Sequence, residues 1–263
     1  MQVVDQVIRV VREVAQTEVM PRFLRVGSNR KTDGTLFTEA DLACQAALAH
    51  LLPQVLPHPV LGEEMTDEAQ HALWMAHRDG LWVVDPIDGT TNFVNGLPYF
   101  AISVALMVDG KSELGVIYNP VADEMFYARR GKGAYMNGIP LPLKKTPNCM
   151  SDAIAGVEVK YLRSGKLANR LNTVAPCGSQ RNMGASTLDW CSLASGRYDV
   201  YLHGGQRLWD YAAGAVILEE AGGRIASLES DDYWSDPPWK RSAIAALHPP
   251  LFEQWLRWVR ANQ

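Results

Sequence analysis

The first twenty positions place apolar side chains at Val3, Val4, Val7, Ile8, Val11, Val14 and Ala15, a helical spacing that stops near Pro21. A polar stretch follows, Gly27-Ser28-Asn29-Arg30-Lys31-Thr32-Asp33-Gly34, long enough for a mobile flap. Thr38-Glu39-Ala40-Asp41 opens a second helix that the pattern carries to about Leu52, with Thr38 as its N-cap. Both acids fall in the first turn, where the helix dipole favours negative charge. Pro53, Pro57 and Pro59 punctuate a turn, and Val60-Leu61 forms a short strand that stops at Gly62-Glu63-Glu64. Residues 65–80 read as a helical or irregular excursion. Leu81-Trp82-Val83-Val84 is short, β-rich and preceded by Asp79-Gly80, which predicts a buried strand.

Residues 99–108, 114–118 and 125–128 then read as strands, joined by Asp109-Gly110, a type I′ hairpin signal, and by Asn119-Pro120. After about residue 145 strands and helices alternate. Strands are predicted over 153–159, 172–177, 198–202, 224–228 and 243–247. Helices are predicted between the first two strands and over 186–195, 210–221 and 250–260. The chain thus divides into an α+β half, 1–145, with an antiparallel sheet, and an α/β half, 146–263. No internal repeat or low-complexity linker interrupts it.

Composition narrows the function classes. With 25 basic and 29 acidic side chains the 263-residue chain carries a net charge of −4, so no global basic field recruits nucleic acid. No apolar run approaches the roughly 18 residues that span a bilayer. The N-terminus lacks the basic region and apolar core of a signal peptide, which points to the cytoplasm. Cys44, Cys149, Cys177 and Cys191 are widely spaced and read as buried thiols. Gly131-Lys132-Gly133-Ala134-Tyr135 is followed by turns, not by a helix, so it is no nucleotide loop.

The chemistry concentrates in Asp85-Pro86-Ile87-Asp88-Gly89-Thr90-Thr91-Asn92-Phe93. In an extended segment Asp85 and Asp88 could not both face one point. A turn at Pro86-Ile87 would bring them together and expose the Ile87 carbonyl. Two close carboxylates repel unless a cation or proton lies between them, and hard oxygens suit magnesium with phosphate as co-ligand. Gly89-Thr90-Thr91 can open a helix, whose free amides bind an oxyanion. Taken alone, D-P-x-D-G also marks an ordinary surface turn, Gly62-Glu63-Glu64 a solvated loop, and Asp41 and Asp210 helix caps.

Residues 83–95 resemble the first signature of the inositol monophosphatase family, lithium-sensitive and magnesium-dependent phosphatases. Trp209-Asp210-Tyr211-Ala212-Ala213-Gly214, running on through Glu219-Glu220-Ala221-Gly222-Gly223, resembles its second signature. Gly62-Glu63-Glu64 stands about twenty residues before the first, as in that family, and the likeness spans about residues 3–247. It implies a layered α-β-α-β-α sandwich of the inositol monophosphatase and fructose bisphosphatase type.

The resemblance also implies a site with two or three magnesium ions. Asp85 would bridge two of them, with Glu63 and the Ile87 carbonyl on one and Asp88 and Asp210 on the other. Asp41 would orient Thr90, and Thr90 would position the attacking water; Glu63 belongs to the catalytic set as well. Amides of Gly89 and Thr90 would hold the phosphate. The substrate pocket would come from Gly184-Ala185-Ser186 and the end of the strand over 198–202. His203 falls where inositol-cleaving relatives carry a glutamate that binds a sugar hydroxyl, unless it is a solvent-facing loop residue beside Gly204-Gly205.

The expected substrate is myo-inositol-1-phosphate or a similar small phosphorylated polyol or sugar. Histidinol phosphate, fructose 1,6-bisphosphate and 3′-phosphoadenosine 5′-phosphate are the alternatives. A regulatory scaffold would show a damaged acidic set, and a nucleotide-binding oxidoreductase would need a strand, a glycine-rich turn and a helix. A homodimer is implied by the family. Trp234, Trp239, Trp255 and Trp258 either pack the last helix or leave apolar surface for a second copy.

Overall fold

The computed structural model describes residues 2–25, 27, 29–30, 36–158, 160–162 and 165–263. Most of the polar stretch expected to form a flap over 27–34 lies outside them. Helix α1 (Gln2–Val14) buries Val4, Val7, Val11 and Val14, the predicted stripe, and continues as a π-helical turn, Ala15–Val19. A two-residue ribbon pairs β1 (Asn29–Arg30) with β2 (Leu36–Phe37). Helix α2 (Glu39–Val55) starts from the expected Thr38 cap but runs past Pro53. Then come β3 (Val60–Gly62), α3 (Asp67–Ala76), β4 (Leu81–Asp88) and the short α4 (Thr90–Val94).

Five further strands complete the first sheet: β5 (Ala101–Val108), β6 (Lys111–Asn119), β7 (Glu124–Arg129), β8 (Ala134–Met136) and β9 (Ile139–Pro140). The seven strands lie in chain order from β3 to β9, with β3 parallel to β4 and every later neighbour antiparallel. Asp109 and Gly110, both at positive φ, make the predicted hairpin between β5 and β6.

The second sheet contains β10 (Ile154–Glu158), β11 (Ser179–Arg181), β12 (Val200–Gln206), β13 (Arg224–Ala226) and β14 (Arg241–Ala246). Its order is β11-β10-β12-β14-β13, parallel across the first three and antiparallel thereafter. Helices α5 (Lys166–Val174), α6 (Ser186–Ala194), α7 (Leu208–Glu220) and α8 (Pro249–Ala261) accompany it. The strand expected over 172–177 is wrong. Residues 166–174 are helical because Leu167, Ala168 and Leu171 make a buried stripe at helical spacing, and the strand starts later, at Ser179.

Period-two alternation along the strands builds the layers. Trp82 and Val84 of β4 join α1 and α2 in one core, whereas Leu81 and Val83 face α6 and α7 in another. In β12, Tyr201 shares that middle core, and Val200 and Leu202 face α5 and α8 in a third. The result is the expected α-β-α-β-α sandwich. Burying each large apolar side chain contributes roughly 1.5–3 kcal/mol, against about 1 kcal/mol for a helix cap, so these faces decide which way each element turns.

Helix α7 is apolar on all sides because it sits between the sheets. It lies close against β6, where a Cβ on Gly115 would stand 2.5 Å from the Ala213 carbonyl. The C-terminal tryptophans pack within the chain. Trp255 is fully buried, donates to the Tyr201 carbonyl at 2.9 Å and stacks on Trp258. Trp234 and Trp239 pack on the middle core. Packing on the last helix thus holds for Trp255 and Trp258, whereas Trp234 and Trp239 sit, partly buried, against the middle core.

Candidate active site

Strand β4 runs through Asp88, where a turn at Pro86-Ile87 was expected. The acids are brought to one side by a bulge instead. Asp85 pairs with Ser103 and Asp88 with Ala101, so three steps on β4 oppose two on β5. Three residues apart in a regular strand, the two side chains would face opposite ways; the extra residue cancels that. Proline suits such a bulge because no ladder donor is needed there. The Pro86 carbonyl accepts the Cys44 thiol at 3.3 Å from α2.

Strand β3 lies parallel to β4 with Gly62 beside Val84, and the Glu63 amide donates to the Val84 carbonyl, which sets Glu63 level with Asp85. Asp210 arrives from the first turn of α7. It is not the N-cap but the third helical residue, and its Oδ2 accepts the Arg207 amide at 2.8 Å. Asp85, Asp88 and Asp210 each offer a carboxylate oxygen within 4.8 Å of the others, a group that could hold a metal ion.

The electrostatics fit a cation. Burial pushes Asp85 well above the usual carboxylate range, and Glu63, Asp88 and Asp210 push it the same way. Asp210 is raised by burial and then by Asp88 and Glu63. Asp88 is pushed up to about 6 by burial, against hydrogen bonds from Thr187 that pull it down. Asp85 Oδ1 is buried with no hydrogen-bond partner among the described residues. A buried carboxylate oxygen without a donor, facing like charges, is the arrangement that a divalent ion relieves.

Gly89 precedes α4 at φ 88°, and a Cβ there would meet Ala185 and the Tyr99 carbonyl at 3.1 Å. Both the backbone angle and the space require glycine. The Thr90 hydroxyl lies 3.0 Å from the Ile87 carbonyl and 3.4 Å from Asp41 Oδ1. Asp41 Oδ2 accepts the Thr38 amide and hydroxyl at 2.7 and 2.6 Å, closing a capping box. The two readings of Asp41, as helix cap and as partner of Thr90, are therefore both satisfied, one by each oxygen.

Gly184, Ala185 and Ser186 form the turn into α6 beside Gly89. Asn92 Nδ2 donates to the Met183 and Tyr99 carbonyls at 2.8 and 2.7 Å, holding α4 against that turn. His203 is not a solvent-facing loop residue. It lies inside β12, 4% exposed, with Glu158 and Ala243 as its strand neighbours. Its Nδ1 accepts the Gly205 amide at 3.1 Å, which leaves the proton on Nε2. Burial, helped by Lys160, pushes its pKa down to about 3.

Thr187, Asn92 and the part-buried pair Tyr99–Asp189 are parts of this region that pattern reading missed. Asn92 stands inside the first motif and was available to it. Thr187 and Asp189 gave no signal, since their partners lie 99 and 90 residues away.

Residues 1–261 match the inositol monophosphatase family model. A protein from Pasteurella multocida called Nus factor SuhB is 37% identical over 199 residues, 74% of this chain and 73% of its own length. The inositol-1-monophosphatase of Bacillus subtilis is 32% identical over 230 residues, 84% of this chain and 83% of its own. Among solved structures, an IMPase from Thermotoga maritima superposes with a TM-score of 0.84 at 26% identity, covering 99% of this chain and 98% of that one. That family is metal-dependent and binds phosphorylated substrates, and the present chain belongs to the inositol monophosphatase family.

Proposed function

We propose that this chain is a magnesium-dependent hydrolase of small phosphate monoesters, with myo-inositol-1-phosphate or a similar polyol phosphate as its leading substrate. The observation that carries the reading is the clustering of Asp85, Asp88 and Asp210, with carboxylate oxygens within 4.8 Å of one another and Asp85 Oδ1 buried without a hydrogen-bond partner among the described residues. The likeness to the inositol-1-monophosphatase of Bacillus subtilis supports the substrate class. Histidinol phosphate, fructose 1,6-bisphosphate and 3′-phosphoadenosine 5′-phosphate stay as alternatives.

Asp85, Asp88 and Asp210, with Glu63 and the Ile87 carbonyl, would hold the ions. Bound magnesium supplies Lewis-acid charge that lowers the pKa of water and stabilises the departing alkoxide. The Thr90 hydroxyl, fixed between Asp41 and Ile87, would orient the attacking water. The amides of Gly89 and Thr90 would receive the phosphate. Gly184, Ala185, Ser186 and His203 would line the substrate end. No protein nucleophile is needed, because catalysis rests on positioning and charge stabilisation.

Asp88→Asn keeps the shape of the site but removes a charge from it. Hydrolysis should fall at least a hundredfold, and excess chelator should abolish it in the parent chain. Full activity in either case would overturn the reading. The family likeness also supports lithium inhibition, seen as loss of turnover across millimolar lithium at fixed magnesium, and a homodimer. A light-scattering mass near 29.1 kDa would remove the dimer. A second role beside catalysis is supported by the relatives called Nus factor SuhB.

A further inference from the structure

Helix α6 begins behind Ala185, whose side chain cannot cap it. The four free amides of a helix start need acceptors, and the usual Ser, Thr, Asp or Asn is missing from the cap position. Asp88, from a strand 99 residues earlier, takes that place. Its Oδ2 accepts the Thr187 amide at 2.7 Å and the Thr187 hydroxyl at 2.6 Å. Thr187 is fully buried, so no water competes for these bonds.

A carboxylate oxygen offers two in-plane lone pairs, and Thr187 occupies both on Oδ2. We infer that Thr187 is a positioning residue for Asp88, filling Oδ2 so that Asp88 meets a cation through Oδ1 alone. The inference rests on the metal-dependent reading of the site. The backbone amide alone would cap the helix and still let the carboxylate turn about its Cβ–Cγ bond. The hydroxyl adds a second, differently directed donor that fixes the plane. It also locks α6 of the middle layer to β4 at the point where Asp85 and Asp210 converge. Partners of metal ligands commonly change metal affinity by about 10- to 100-fold when removed.

The test compares Thr187→Val, which keeps the shape and amide but loses the hydroxyl, with Thr187→Ser, which keeps the hydroxyl. Manganese serves as the probe ion in calorimetric titration of the full chain, read beside hydrolysis of inositol phosphate. The valine variant should bind manganese about tenfold more weakly, and serine should stay within about twofold of the parent. The magnesium concentration for half-maximal activity should rise in the valine variant while KM for the ester holds.

Parental manganese affinity in a folded valine variant overturns the inference. So does equal weakening by valine and serine, which would assign the loss to packing. Should valine not fold, Thr187→Ala takes its place against the same serine control. A parent chain that binds no manganese removes both the metal reading and this inference. A parent that binds manganese but cleaves no ester removes the proposed reaction only.

Discussion

His203 carries the widest consequence at the scale of a single residue. A glutamate at its position would accept hydrogen bonds from a diol. Here the Gly205 amide fills Nδ1, so the ring is a neutral donor through Nε2. Its depressed pKa, about 3, keeps it neutral at every working pH. His203→Glu should therefore raise kcat/KM for inositol phosphate relative to histidinol phosphate, fructose 1,6-bisphosphate and 3′-phosphoadenosine 5′-phosphate by about tenfold or more. That factor is worth about 1.4 kcal/mol, the scale of one hydrogen bond gained in a pocket. An unchanged ratio would take His203 out of the substrate pocket. The residue itself was legible in the sequence because it precedes Asp210 by a fixed interval. Its burial was not, since Gly204-Gly205 reads as a loop and only pairing with β10 and β14 makes it a strand.

At the scale of elements, α7 is held at both ends. Asp210 stands at its start, and at its end the Glu220 carboxylate accepts the amides of Gly131, Lys132 and Gly133 at 2.8–3.1 Å. Arg130 and the Trp234 indole bind the neighbouring Glu219. Two acids at a helix C-terminus oppose its dipole, and these donors offset that. Glu220→Ala should cost about 0.5–1.5 kcal/mol, the net worth of a hydrogen bond to donors that water can partly reach, and lower the melting temperature by roughly 1–6 °C. An unchanged melt would show that water replaces the carboxylate without loss.

The glycine-rich segment 131–133 joins β7 to β8, with a strand and no helix after it. Its real partner was invisible because it lies 87 to 89 residues away. The same limit explains Thr187, whereas the misplaced strand at 172–177 has a local cause, the helical stripe of Leu167, Ala168 and Leu171 that runs into that segment. Motifs and local periodicity announce themselves along the chain, whereas contacts between layers do not. The bulge at Pro86 is the intermediate case. The need to bring Asp85 and Asp88 together could be read from their spacing, but a bulge and a turn satisfy it equally until β5 is in place.

For the molecule as a whole, the acidic cluster joins Asp85 and Asp88 of the first sheet to Asp210 of the middle layer, so site electrostatics and global stability are linked. The folded pKa values of Asp85, Asp88 and Asp210 are raised, whereas an unfolded carboxylate titrates near 4. A raised carboxylate contributes stability that is fully present below the unfolded value and is lost as pH rises through the folded one. For Asp88 that window runs from about 4 to about 6. Without metal, the cluster therefore weakens the fold as pH climbs from 4 through 6 and beyond. A bound cation reverses this, because it competes with protons for the same oxygens and removes their mutual repulsion. Magnesium should raise the melting temperature of the parent chain clearly more at about pH 8 than at about pH 5, where protons already occupy part of the cluster. Asp88→Asn should shrink that difference, since one of the three charges is gone. Scanning calorimetry with and without magnesium at the two pH values checks both points. An equal gain at both would mean that the ion does not bind at these carboxylates.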